Sequence, residues 1–215
     1  MKNYIKIINI IDKSGSMDTM IDTAINGFNE FLIEQKKVDG DALVSTVLFS
    51  DGYYPVYDDV DIQKCLYLDK NNYIPKGYTA LYDAIGKTIN KEIDKLGNMP
   101  IEDRPVKILC VILTDGHENH SREFTKDQIK NLIGEMKEEF NWEFIFLAAN
   151  EEASLTAQTM GISKGNSYSF ANNADGLKSA YSAVSFASTS YRNSKSVKMD
   201  NLMSDYEEEK RNDKK

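Results

Sequence analysis

Short runs of apolar, β-branched residues alternate along the chain with longer stretches whose apolar positions recur every three or four residues. Tyr4 to Ile11 is almost continuously apolar, the pattern of a strand covered on both faces. Between Asp18 and Lys37, residues Met20, Ile21, Ala24, Ile25, Phe28, Phe31 and Leu32 fall at helical spacing and predict an amphipathic helix. Leu43 to Phe49 reads as a second strand, Ser50-Asp51-Gly52 as a turn, and Tyr53 to Tyr57 as an antiparallel return at the sheet edge. Residues 58–76 are polar and irregular, with one short element around Ile62 to Leu68. Thr79 introduces a helix from about Leu81 to Leu96, closed by Gly97. Pro105 precedes the most apolar strand, Val106 to Leu113. Thr125 is placed to cap a helix running to Phe140. Trp142 to Ala148 predicts another strand, Glu151 to Met160 a short helix, Tyr168 to Phe170 a weak last strand, and Asp175 to about Tyr191 a final helix.

Strands alternating with helices imply an α/β fold: a three-layer, doubly wound sheet, mostly parallel, with one antiparallel edge strand. Ligands of such sheets gather at the carboxyl ends of the strands, near the point where the strand order reverses. With 215 residues and 41% hydrophobic content, the chain fits one sizeable core. Residues 1–191 are assigned to that domain. Residues 192–215 are read as a charged C-terminal tail, frayed helix or disordered, ending in the run Glu207-Glu208-Glu209-Lys210-Arg211.

Charge narrows the function classes. The 26 Lys and Arg against 34 Asp and Glu give a net charge of −8, which repels nucleic-acid backbones and anionic lipid, so neither nucleic acid nor membrane is an expected partner. No apolar run approaches the roughly 20 residues of a membrane-spanning helix. Two cysteines, Cys65 and Cys110, make no disulfide framework, and Cys110 reads as a buried apolar residue. Lys2 and Lys6 precede Ile7 to Ile11, but that run is short for a secretory signal and passes directly into Asp12. The expected compartment is the cytoplasm.

Three loops expected at the carboxyl edge are rich in oxygen ligands: Asp12-Lys13-Ser14-Gly15-Ser16 after the first strand, Lys76-Gly77-Tyr78-Thr79-Ala80-Leu81 before a helix, and Thr114-Asp115-Gly116 after the most apolar strand. Alternate residues of an extended turn point to one side, so Asp12, Ser14 and Ser16 converge while Gly15 permits the bend. Asp12 and Asp115 bring two negative charges; Ser14, Ser16 and Thr79 bring neutral oxygens. That set suits a hard divalent cation, Mg²⁺ first, with Mn²⁺ or Ca²⁺ also acceptable. It leaves a position for water or for a partner protein's carboxylate.

Asp-x-Ser-x-Ser, a later Thr, and Thr-Asp-Gly after a strand resemble the metal-ion-dependent adhesion site of von Willebrand factor type A domains. The strand and helix order is similar to that family over residues 4 to about 190. The resemblance implies that Ser14, Ser16 and Thr79 bind the ion directly or through water, that Asp12 and Asp115 hold its waters, and that a partner's Glu or Asp completes the coordination. It also implies a binding module rather than an enzyme. The Thr-Ala-Leu-Tyr-Asp-Ala run after Gly77 is similar to short stand-alone bacterial and phage members.

Other readings compete. Asp12 suits the nucleophile of a Mg²⁺-dependent phosphohydrolase or phosphotransferase, but the acid or base expected two residues on is Ser14. A metal-independent scaffold in a larger assembly is the third reading. His117-Glu118-Asn119-His120 departs from the His-Glu-x-x-His zinc pattern and reads as loop hydrogen bonding. Asp83 reads as a first-turn acid favoured by the helix dipole. Ser50, Asp51, Tyr78 and Asn150 are expected on the same rim.

Overall fold

The computed structural model describes residues 3–149 and 151–212. Six strands form one sheet: β1 (Ile5–Asp12), β2 (Ala42–Phe49), β3 (Tyr53–Asp61), β4 (Lys107–Thr114), β5 (Trp142–Ala148) and β6 (Ser167–Ser169), in the order β3-β2-β1-β4-β5-β6. Every neighbouring pair is parallel except β2–β3, the antiparallel edge. The helices are α1 (Ile21–Lys37), α2 (Leu81–Gly97), α3 (Lys126–Glu139), α4 (Glu151–Thr159), α5 (Ala174–Asn193) and α6 (Leu202–Asn212). This is the expected three-layer, doubly wound α/β architecture.

The period of two along β1 explains the layers. Ile7 and Ile11 face a core built with α1, α5 and the start of α6, whereas Ile8 and Ile10 face a second core built with α2, α3 and α4. Both faces of β1 are therefore dry, which is why its sequence is continuously apolar rather than alternating. Full burial of each such isoleucine stabilises by roughly 1.5–3 kcal/mol. The two layers are locked by close approaches at glycines. A side chain at Gly27 of α1 would collide with the Tyr181 ring of α5, and one at Gly86 of α2 with the Phe124 ring.

Two boundaries differ from the sequence expectation. Residues Gly15–Met20 form a 3₁₀ turn and α1 begins only at Ile21, because the Gly15 N–H is held by the Gly77 carbonyl (3.0 Å) and the Met17 N–H by Ser14 (3.1 Å). β3 runs past Tyr57 to Asp61 through a register irregularity at which Asp59 adopts a left-handed φ of 55°. At the chain end, α6 has Leu202 and Met203 buried, and Tyr206 packs its ring edge-on to Tyr168 of β6.

β1 lies at the reversal of strand order: the chain leaves it for β2 on one side and later places β4 on the other. The carboxyl ends of β1 and β4 are thus adjacent, with Ile11 opposite Leu113. The loops following Asp12 and Thr114 open into the same crevice.

Candidate metal centre

Asp12 is wholly buried at the end of β1. Its Oδ1 accepts the Ser14 N–H (2.7 Å) and its Oδ2 accepts the hydroxyl of Thr114 from the end of β4 (2.6 Å). The Asp12 carbonyl accepts the hydroxyl of the buried Tyr73 (2.7 Å), which ties the 69–78 loop beneath the site. The Ser14 and Ser16 hydroxyls lie 3.1 Å apart, and Ser16 Oγ donates to Asp115 Oδ1 at 2.7 Å. Four of the five residues singled out in the sequence therefore form one continuous network. Thr79 is bonded to none of the four, yet its Oγ1 lies beside Ser16 over Gly116. A Cβ at Gly116 would meet Thr79 Oγ1 at 3.0 Å and Ser16 Oγ at 3.7 Å, so glycine leaves the space between these hydroxyls open.

The electrostatics are unbalanced. Burial, reinforced by the neighbouring Asp115, lifts the Asp12 carboxyl to about 7 despite the bonds from Thr114 and Ser14. Burial also raises Asp115, against the bond from Ser16. Asp115 Oδ2 is buried and accepts no hydrogen bond from a described residue. A buried carboxylate oxygen without a partner is costly, and a cation or a cation-held water would satisfy it. The donors are two carboxylates and three hydroxyls, with no nitrogen or sulfur, which is the ligand chemistry of a hard divalent cation. The residues present therefore fit such an ion.

Thr79 is held from a distance. Its N–H donates to Asn119 Oδ1 (2.9 Å) and its carbonyl accepts the Asn119 N–H (3.0 Å). The next residue, Ala80, is the N-cap of α2 and offers no side-chain cap. The orphan N–H groups of Tyr82 and Asp83 are taken instead by Glu118 Oε2 (3.0 Å) and Ser121 Oγ (3.1 Å). Asp83 returns the favour by accepting the N–H groups of Arg122, Glu123 and Phe124, each at 2.9 Å. Its main role is thus to latch the 116–124 loop onto α2, beyond the dipole effect expected of a first-turn acid. Tyr73 and Ser121 were not singled out from the sequence, Glu118 and Asn119 were read only as loop hydrogen bonding, and Asp83 only as a first-turn acid. The bonds through which they support the site, to Asp12, Asp83, Tyr82 and Thr79, span tens of residues.

His117-Glu118-Asn119-His120 lies in this latch. Glu118 also accepts the backbone N–H groups of His120 and Ser121, and His120 stacks on Tyr78 with centroids 4.9 Å apart. On the opposite rim, Ser50 Oγ donates to Asp51, whose carboxylate abuts Gly77, and Gly77 takes φ 79°. Lys13 lies between β1 and the β3 edge, its Nζ 3.7 Å above the Tyr54 ring. Burial and Lys76 pull its pKa down, while Asp51 acts the other way. Asn150 lies outside the described residues.

No family model matches the chain, and no curated protein matches it in sequence. Solved structures do match. The von Willebrand factor domain of the type V pili tip protein Mfa5 from Porphyromonas gingivalis superimposes with a TM-score of 0.65 at 8% identity, over 92% of this chain and 99% of that one. Manganese-loaded TRAP protein from Plasmodium vivax gives 0.56 at 16% identity, over 82% and 72%. Proximal thread matrix protein 1 from the mussel byssus, with a zinc-occupied adhesion-site motif, gives 0.59 at 15% identity, over 87% and 46%. The chain spans about 43% of the length of two other matched chains, a VWA protein from Sulfolobus acidocaldarius and a von Willebrand factor type A protein from Catenulispora acidiphila. At these identities the likeness concerns architecture, and it is consistent across the matches: the chain has the fold of von Willebrand factor type A domains.

Proposed function

We propose that this chain is a divalent-cation-dependent protein-binding domain, in which an Asp or Glu of the partner completes the coordination of an ion held at the carboxyl edge of β1 and β4. Ser14, Ser16 and Thr79 would offer hydroxyl oxygens, and Asp12 and Asp115 the negative charge. The bound ion supplies an electrophilic position for an incoming carboxylate. The observation that carries this is the buried, unpartnered Oδ2 of Asp115 beside a second buried carboxylate. Mg²⁺ is the ion proposed, with Mn²⁺ and Ca²⁺ sharing its preference for oxygen. The matched structures with manganese and zinc support a divalent ion in this fold.

Binding rather than turnover is favoured because both Asp12 oxygens already accept hydrogen bonds and Ser14 stands where an acid or base would be needed. We assign binding to residues 1–191, with 192–215 as a C-terminal segment whose Leu202 and Met203 pack into the first core. Two buried free cysteines suit a reducing compartment, in keeping with a bacterial or phage-infected cytoplasm.

The test uses Mn²⁺ as a magnetic probe in the metal-stripped protein. Water-proton relaxation by bound Mn²⁺ is expected to fall when acetyl-Gly-Glu-Gly-amide displaces a water, and Asp12→Ala is expected to abolish both signals. Peptide binding of equal strength in chelator would point instead to a metal-independent scaffold.

A further inference from the structure

Four cationic side chains are buried among the described residues: Lys6, Lys13, Lys107 and Arg192. Three of them have oxygen partners. Lys6 pairs with Asp59 and Glu92, Lys107 donates to the Tyr191 and Ser194 carbonyls, and Arg192 donates to the Gln35, Val38 and Gly40 carbonyls. Lys13 is the exception. It is only 6% exposed, forms no ion pair with a described residue, and rests its ammonium on the face of Tyr54. An ammonium removed from water without an anion is costly, and a cation–π contact offsets about 0.5–2 kcal/mol of that. The backbone holds Lys13 in place, its N–H bonded to Phe49 (2.7 Å) and its carbonyl to the N–H of Lys76 (2.9 Å). That second bond sets the exposed Lys76 beside it. The nearby Asp51 carboxylate is engaged by Ser50 and packed against Gly77.

We propose that Lys13 and Lys76 form an anion-binding subsite adjoining the candidate metal centre, and that it takes a second carboxylate of an acidic peptide segment on the partner. The proposal rests on the metal-capture reading for the first carboxylate. Lys13 joins Asp12 to Ser14 in the chain while its ammonium lies over Tyr54, so the second carboxylate is assigned a place one or two residues along the partner segment from the first. In a chain of net charge −8 this pair of lysines gives the site the local complementarity that an acidic partner requires.

The test compares two probes on the Mg²⁺-loaded full chain at low salt, acetyl-Gly-Glu-Gly-Gly-Gly-amide and acetyl-Gly-Glu-Gly-Glu-Gly-amide. The diacidic peptide is expected to bind about fivefold more tightly. The ratio is expected to fall to about one in Lys13→Met and to about two in Lys76→Met, whose exposed site makes misfolding no explanation. Equal affinities in the unmodified chain, or a ratio that survives both substitutions, would overturn the subsite. Mg²⁺-dependent binding of the monoacid with no advantage for the diacid overturns the subsite and leaves the metal reading standing. An advantage that persists in chelator and vanishes in Lys13→Met supports the subsite and removes the metal reading. Binding of neither peptide overturns both.

Discussion

Two clusters of charge sit on one strand, β1, and they are built on opposite principles. Near the start of β1, Lys6 pairs with Asp59 of β3 and Glu92 of α2, while Lys95 pairs with Asp58, Asp59 and Glu92, and Lys91 with Asp58. Three acids meet three ammonium groups. At the end of the same strand, Asp12 and Asp115 meet only hydroxyls and backbone N–H groups, and one oxygen of Asp115 has no partner. Among the described residues, Asp58, Asp59 and Glu92 are the only three acidic, His or Cys groups close enough together to share an ion. That cluster is nonetheless already filled by lysines. A count of acids therefore points to one end of the strand, and uncompensated charge to the other, which is the end proposed to hold the ion.

The largest expected effect breaks the compensated end. Lys6→Met leaves the 2%-exposed Glu92 short of a partner and is expected to cost about 4 kcal/mol in urea unfolding. The double variant Lys6→Met/Glu92→Leu, which removes both charges, is expected to recover much of that loss.

The pH dependence separates the two ends by sign. In chelator, the folded-state pKa of Asp12, about 7, lies above its unfolded value, so the folded chain binds the extra proton between pH 4 and 7. Stability is therefore expected to rise as pH falls from 7 to 4, on the order of 3 kcal/mol, and Asp12→Asn is expected to flatten that slope. Asp58 and Asp59 behave oppositely. Burial pulls each up, but Lys95 with Lys91 holds Asp58, and Lys6 with Lys95 holds Asp59, below the usual range. Their contribution is present above the unfolded carboxylate pKa and is lost as pH falls below it.

Cation binding sharpens the contrast further. Mg²⁺ at about 100 times its Kd is expected to add about 2.7 kcal/mol of stability. It should also abolish the acid-side gain by keeping Asp12 ionised, and Asp115→Asn should remove both effects in thermal melts. The smallest effect is a control remote from either cluster. Thr125→Ala deletes the capping box of α3 and is expected to cost about 1 kcal/mol, with Mg²⁺ affinity unaltered.

The sheet and the approach of Asp12, Ser14, Ser16, Thr79 and Asp115 to one edge were legible because both depend on local pattern. Continuous apolar runs mark buried parallel strands, and strand ends in a doubly wound sheet must meet at the reversal point. What stayed hidden depends on pairs distant in sequence. The Thr79–Asn119 latch spans 40 residues and Lys6–Glu92 spans 86, and neither leaves a periodic trace. The extension of β3 through Asp59 was hidden for the same reason, since its left-handed turn brings a carboxylate to Lys6 on a different strand. The packing of α6 rests on Leu202, Met203 and Tyr206, too few apolar positions to stand out in a charged stretch.

The most direct test of the central claim is calorimetric titration of Mg²⁺ into the metal-stripped chain, beside Asp12→Ala and Asp58→Ala. Uncompensated charge as the mark of the site predicts saturable one-site binding that Asp12→Ala abolishes and Asp58→Ala retains. Binding that survives Asp12→Ala and disappears in Asp58→Ala, or no binding of Mg²⁺, Mn²⁺ or Ca²⁺ by the folded chain, would contradict it.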